Sequence, residues 1–231
     1  KMFAQPLTTI YATDFPDWLK IYSVQEQIDE FVVGMPSKLS GEDTDATQPV
    51  RDFIDWYKEL PIKNKIYVAG NHDTSIEKRL VTKKDFEDNG IIYLENEYVT
   101  IDGIKIFGSP HTPAFNNWAF MKERHKLDRF WKLAIHEPCD IIVVHGPPKG
   151  CLDKSYDRVN NMESCGCKSL LNLVLDMQPS YVCFGHIHNC KDIINARVLK
   201  LSTCNTWFSN GSVVTDSKFG KITSNGNILE I

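Results

Sequence analysis

The chain of 231 residues carries 26 lysines and arginines against 30 aspartates and glutamates, a formal net charge of -4, with 42% hydrophobic and 24% charged residues. That length is long for one domain and short for two, so a single domain over residues 1–231 is expected, burying about 70–75% of the surface its unfolded chain exposes. The composition argues against a disordered chain, and the acidic balance against a broad basic field that would capture nucleic-acid backbone.

No stretch approaches the roughly 18 apolar residues of a membrane span, and the opening KMFAQPLTTIY lacks the basic, apolar, small-residue order of a signal peptide. A cytoplasmic protein with no membrane partner is expected. The seven cysteines, Cys139, Cys151, Cys165, Cys167, Cys183, Cys190 and Cys204, are odd in number and avoid CxxC spacing. Reduced, buried thiols are expected rather than a disulfide framework or a zinc ribbon.

Short apolar runs rich in β-branched and aromatic residues, each ended by glycine, a polar group or a turn, read as strands. In chain order the first are LTTIYA (7–12) and EFVVG (30–34), and a polar, turn-rich loop then occupies 34–48. A helix is expected over 48–60, with Pro49 suited to its first turn and Val50, Phe53, Ile54, Trp56, Tyr57 and Leu60 forming an apolar stripe. Strands KIYVAG (65–70), GIIYL (90–94), EYVTI (97–101) and IKIFG (104–108) follow, then a helix over 119–134, with Trp118, Phe120 and Trp131 assigned to the core. After DIIVVHG (140–146) comes a helix over 163–177, burying Leu170, Leu171, Leu173, Val174 and Met177, and then the strand YVCFGH (181–186). From Ile193 onward the runs VLKLS and SVVTD with the turns NGS and SNGN predict antiparallel hairpins that complete a sheet. Strands alternating with helices point to a layered α/β fold.

Three clusters place metal-ligand residue types directly after a strand: Gly70-Asn71-His72-Asp73, His145-Gly146-Pro147-Pro148 and Gly185-His186-Ile187-His188. Strand ends are where sites assemble in α/β sheets. Imidazole nitrogens with amide or carboxylate oxygens suit Mn, Fe or Zn, and a histidine pair at i, i+2 can serve two neighbouring ions. Two divalent ions can clamp a phosphate and activate water for in-line displacement, so phosphoester hydrolysis is the chemistry indicated.

At these residues the sequence resembles the calcineurin-like metallophosphoesterases, whose pattern runs DxH, GD, GNH followed by D or E, a lone H, then GHxH. The last three blocks match residue by residue, and GSPHTPAFNNWAF, HGPPKGCLD and FGHIHN are most similar to class III cyclic-nucleotide phosphodiesterases and metallophosphoesterase-domain proteins. The resemblance implies a four-layer α/β/β/α sandwich of two facing mixed sheets. It also implies that Asn71, His145 and His186 bind one ion while His188 and Asp14 serve the other. His72 would protonate the leaving oxygen or stabilise its charge, Asp73 would hold the His72 ring, and His111 and Phe115 would flank a small phosphoester substrate, a nucleotide among the candidates.

The pattern departs from the family at two places. Asp14-Phe15-Pro16 puts proline where the first block has histidine, and Met35-Pro36-Ser37 stands where the carboxylate bridging both ions should be. Three explanations are open: substitution by Asp17, Glu42, Asp43 or Asp45; a catalytically impaired relative acting as a binding protein; or an N-terminal sequence altered from that of the functional chain.

Overall fold

The computed structural model describes residues 15–25, 28, 30–33, 47–157, 159–214 and 226–231. The expected strand at 7–12, Asp14 and the loop residues 34–46 lie outside them. Helix α1 (Phe15–Gln25) comes first and starts with Pro16 in its first turn, where a missing N–H costs no hydrogen bond. Strand β1 (Glu30–Val33) follows, and then helix α2 (Gln48–Lys58), again with a proline at its start, which buries Val50, Ile54 and Tyr57 at successive turns of one face.

Strand β2 (Asn64–Tyr67) leads through a tight turn to the short helices α3 (Thr74–Glu77) and α4 (Lys83–Glu87), and β3 (Ile91–Tyr93) comes next. Strands β1, β2 and β3 form a parallel three-stranded sheet in that order. Strands β4 (Glu97–Ile101) and β5 (Ile104–Ser109) make an antiparallel hairpin. Its turn, Asp102-Gly103, takes φ of 48° and 88°, the left-handed pair that an Asp-Gly loop supplies.

The two-residue strands β6 (Thr112–Pro113) and β7 (Met121–Lys122) pair with each other, and a 3-10 turn at Arg124–Lys126 enters helix α5 (Leu127–Ala134). The helix expected over 119–134 is therefore half that length. Phe120 takes φ of 54°, which breaks a helix, and Met121 and Lys122 are drawn into strand pairing. Strand β8 (Ile141–Val144) precedes an unanticipated hairpin of β9 (Lys154–Tyr156) and β10 (Met162–Ser164), whose second strand shortens the next helix, α6 (Lys168–Met177), from its expected start at 163. Cys167 caps α6, its Sγ accepting from Leu170 N at 3.4 Å. Strands β11 (Tyr181–Phe184), β12 (Arg197–Lys200) and β13 (Trp207–Asn210) complete the described elements, and of the run SVVTD the described residues 212–214 show a bridge at Val214.

The larger sheet is mixed and six-stranded, in the order β12-β13-β11-β8-β5-β4. Its four inner strands run parallel and its two edge strands antiparallel. Alternation along the strands shows how the layers stack. Tyr67 packs outward with α2 residues Ile54 and Tyr57, whereas Ile66 and Val68 pack inward with Ile106, Ile141 and Val143 of the larger sheet. On the far side Phe107, Ile142, Val144 and Val182 join Trp131 of α5 and Leu170 and Val174 of α6. Helix, sheet, sheet and helix follow in turn. None of the seven cysteines forms a disulfide. Among the described residues no helix is long and apolar enough to cross a membrane.

Candidate metal centre

Strands β2, β8 and β11 all end at one edge of the stacked sheets, and each runs into a glycine-containing turn. Gly70 is required by space, since a Cβ there would stand 2.5 Å from His145 Cε1. Gly146 is required likewise, because a Cβ would overlap Thr112 Oγ1. The backbone pairing continues past the strands: His145 N donates to Ser109 O at 3.2 Å and Gly185 N donates to His145 O at 3.0 Å. His145 and His186 thus leave the sheet side by side, their ring centroids 4.6 Å apart.

Asn71, 3% exposed, reaches across from the smaller sheet. Its Oδ1 lies 2.6 Å from His145 Nε2 and 3.0 Å from His186 Nδ1. Adjacent donors around a divalent ion with bonds near 2.1 Å lie about 3.0 Å apart, so each nitrogen stands from this oxygen at a spacing close to that of neighbouring donors in a coordination shell. Burial holds His145 well below the ordinary imidazole value, helped by the nearby His186, His72 and His188. His186 is lowered to about 4 by burial, then by His188 and His72. Both rings are therefore neutral at physiological pH, the form that ligates metals. Among the described residues no three histidine, cysteine or acidic side chains converge to hold an ion; the convergence is of one amide oxygen with two imidazoles. His188 stands close enough to weaken proton binding at all three of its histidine neighbours. Asp14, Met35-Pro36-Ser37, Glu42, Asp43 and Asp45 lie outside the described residues, and Asp17 is exposed in the first turn of α1.

His72 is exposed, and partial burial followed by the nearby His188 lowers its proton affinity. Its ring packs against Trp118 at 4.7 Å between centroids, and Trp118 in turn meets Phe115 edge-on at 5.2 Å. Phe115 also lies 5.5 Å from the His186 ring. Trp118 is 40% exposed and Phe115 54%, so Trp118 does not join the core as the sequence suggested. The loop bearing both aromatics is clasped to the β2 turn, with Ala119 N donating to Asn71 O at 3.0 Å and Phe120 N to Glu77 Oε1 at 2.7 Å. Helical spacing hid this, because the left-handed Phe120 redirects the chain.

Two expected roles take a different form. Asp73 turns inward rather than toward His72: its Oδ2 accepts from Gly70 N at 2.5 Å and closes the turn. Its Oδ1 and the Tyr67 hydroxyl are buried, neither in a hydrogen bond of normal geometry, and burial raises the Asp73 carboxyl to about 6. His111 sits in a separate pocket, its Nδ1 3.2 Å from Asn96 Oδ1 and its ring against Phe130 and Phe120, while Phe115 alone of that pair reaches the histidine cluster.

A sequence model of the calcineurin-like phosphoesterases matches residues 14–190. The chain belongs to the calcineurin-like phosphoesterases. Metallophosphoesterase domain-containing protein 1 of Homo sapiens is 36% identical over an alignment of 163 positions that covers 60% of this chain and 49% of that protein. UPF0046 protein K07C11.7 of Caenorhabditis elegans is 32% identical over an alignment of 163 positions that covers 63% of this chain and 54% of that protein. The phosphoesterase chain thus spans about half the length of the curated relatives it matches. One solved structure superposes with a TM-score of 0.62 at 15% identity, covering 87% of this chain and 86% of the other. The TT1561 protein of Thermus thermophilus superposes at 0.55 with 13% identity, covering 87% and 83%. These two share the fold. Membership supports a phosphoesterase function in general terms, and the family works with divalent metal ions.

Proposed function

We propose that the chain hydrolyses a small phosphomonoester or phosphodiester with divalent metal ions, Asn71, His145 and His186 holding one ion and His188 serving a second. The observation that carries the reading is the meeting of Asn71 Oδ1 with His145 Nε2 and His186 Nδ1 at 2.6 and 3.0 Å. Bound divalent ions supply Lewis-acid polarisation of a phosphoryl group and a more acidic water. The buried imidazoles favour their uncharged, ligating form over a wide pH range. His72, exposed beside the cluster, would meet the leaving oxygen, with Trp118 supporting its ring by tilted packing rather than Asp73 by a hydrogen bond. Phe115 and Trp118 form an aromatic rim beside the histidines, a surface suited to a flat substituent on the ester, such as a nucleobase.

The test is turnover of bis(p-nitrophenyl) phosphate with and without added Mn²⁺, with His186→Ala as the control. Mn²⁺-dependent turnover lost in the variant supports the reading. A folded protein that binds no metal and turns nothing over is instead a catalytically impaired relative that acts by binding.

A further inference from the structure

The turn that carries His186 and His188 is itself held by two buried asparagines, one seven residues beyond His188 and one at the end of β13. Asn210, 0% exposed at the end of β13, donates from Nδ2 to Leu152 O and to Ile187 O, both at 3.0 Å, while its Oδ1 accepts from Ser212 N at 2.9 Å. Asn195, 2% exposed, donates from Nδ2 to Lys154 O and His188 O, both at 2.8 Å, and its Oδ1 accepts from Lys154 N at 3.2 Å. Ser212 Oγ adds a bond to Ile187 O at 3.2 Å, and Asn195 N donates to Asn189 Oδ1 at 2.7 Å. Two consecutive carbonyls of the histidine turn are thus each tied to a carbonyl of the 152–154 segment.

The chemistry of the carboxamide explains the choice of residue. Two carbonyl oxygens repel each other and can be joined only by a group offering two donors, and a buried joint must be uncharged. An amide NH₂ meets both conditions; a hydroxyl has one donor, a carboxylate none, and an ammonium carries charge. The joined segments also need restraint. His186 takes φ of 68° and Leu152 takes 52°, a left-handed backbone that a side chain with a Cβ disfavours. Released from Asn210 and Asn195, the turn would relax, and the His186 ring would leave Asn71 Oδ1.

We propose that Asn195 and Asn210 are positioning residues of the metal centre, bridging the histidine turn to residues 152–154 and so aiming His186 and His188. This rests on the metal-dependent reading above. The test uses Asn195→Asp and Asn210→Asp, which keep shape but leave at most one donor, the O–H of a protonated carboxyl, so that the two carbonyls can no longer be joined. Thr206→Val is the control, because Thr206 is equally buried next to β13 and its Oγ1 bonds Pro179 O at 2.7 Å, away from the histidines. Titration with Co²⁺, followed by visible absorption, is expected to weaken about 10- to 100-fold in each asparagine variant and to stay within about threefold of the parent in Thr206→Val. In the metal-free proteins, imidazole ¹H–¹⁵N spectra are expected to show His186 shifted in the asparagine variants and unmoved in the control.

Parental cobalt affinity together with an unmoved His186 in the asparagine variants overturns the proposal, and so does an equal loss in Thr206→Val. A parent protein that takes up no cobalt overturns the metal reading alone, and the imidazole spectra then decide the positioning. Should Asn210→Asp fail to fold, Asn195→Asp carries the same comparison.

Discussion

Adding one methyl group at position 70 would press on the His145 ring. Gly70→Ala is expected to destabilise the fold by about 1–3 kcal/mol, the range for overpacking a filled site, as read from urea unfolding, and to displace His145 from Asn71. Acid should act on the same residues. Burial holds His111 at about 3, His186 at about 4 and His145 well below the ordinary imidazole value. In the unfolded chain each returns to about 6.5, so that chain takes up protons first as the pH falls. Their contribution is therefore complete above about pH 6.5 and is lost progressively toward pH 4 and then 3. Asp73 acts in the opposite sense: its carboxyl is raised to about 6, so its contribution is complete below the ordinary carboxylate value and is lost as pH rises through 6. Three histidines outweigh one aspartate, and the Tm of the metal-free protein is expected to fall between pH 7 and 4. A flat or rising profile would contradict this. At this scale Asn71, His72, His145, His186 and His188 were legible because strand-end motifs fix their positions. The partner of Asp73 was not, since only the folded turn shows that a short carboxylate reaches its own backbone first.

Helices and strands were legible wherever burial alternates with a clean period. β4, β8 and β11 fall within the apolar runs that announce them, β2 and β5 overlap theirs and overrun by one residue, and α2 shows its stripe at Val50, Ile54 and Tyr57. The first half of the helix expected over 119–134 was not legible, because one left-handed residue, Phe120, decides it and nothing in AFMKERHK marks that residue. β9 and β10 are three residues each and pair only with each other, and β13, four residues long, gains its order from β11 and β12 rather than from its own pattern. The end of α6 offers a test of element geometry. Gln178 closes that helix at φ of 51°, where glycine is the usual occupant. Gln178→Gly is expected to stabilise the protein by about 1 kcal/mol in urea unfolding, by removing the Cβ strain of the left-handed cap, and to leave hydrolysis unchanged.

The whole molecule is organised around the layer between its two sheets. Ile66, 0% exposed, lies in that layer with Ile106, Ile141 and Val143. Ile66→Ala is expected to cost about 2–5 kcal/mol and to weaken metal binding as well, because β2 carries Asn71 toward histidines borne by the other sheet. Unfolding followed by tryptophan fluorescence and by cobalt absorption should show one shared transition. Separate midpoints would mean that the sheets come apart independently of the site. The layered α/β class was legible from the alternation of strands and helices, and the sheet order was not, since β13 enters between β11 and β12 by contacts that no local pattern records.

Asn71 meets His145 across 74 positions and His186 across 115. A chain emerging from the ribosome presents the amide long before the second imidazole exists, and closing loops of that length precedes any reward from the contact. The donor set is therefore complete only once His186 has been made and the intervening chain has folded. Until then no ion can be held by all three groups at once, and an unfinished chain has no finished cradle in which to trap the wrong one.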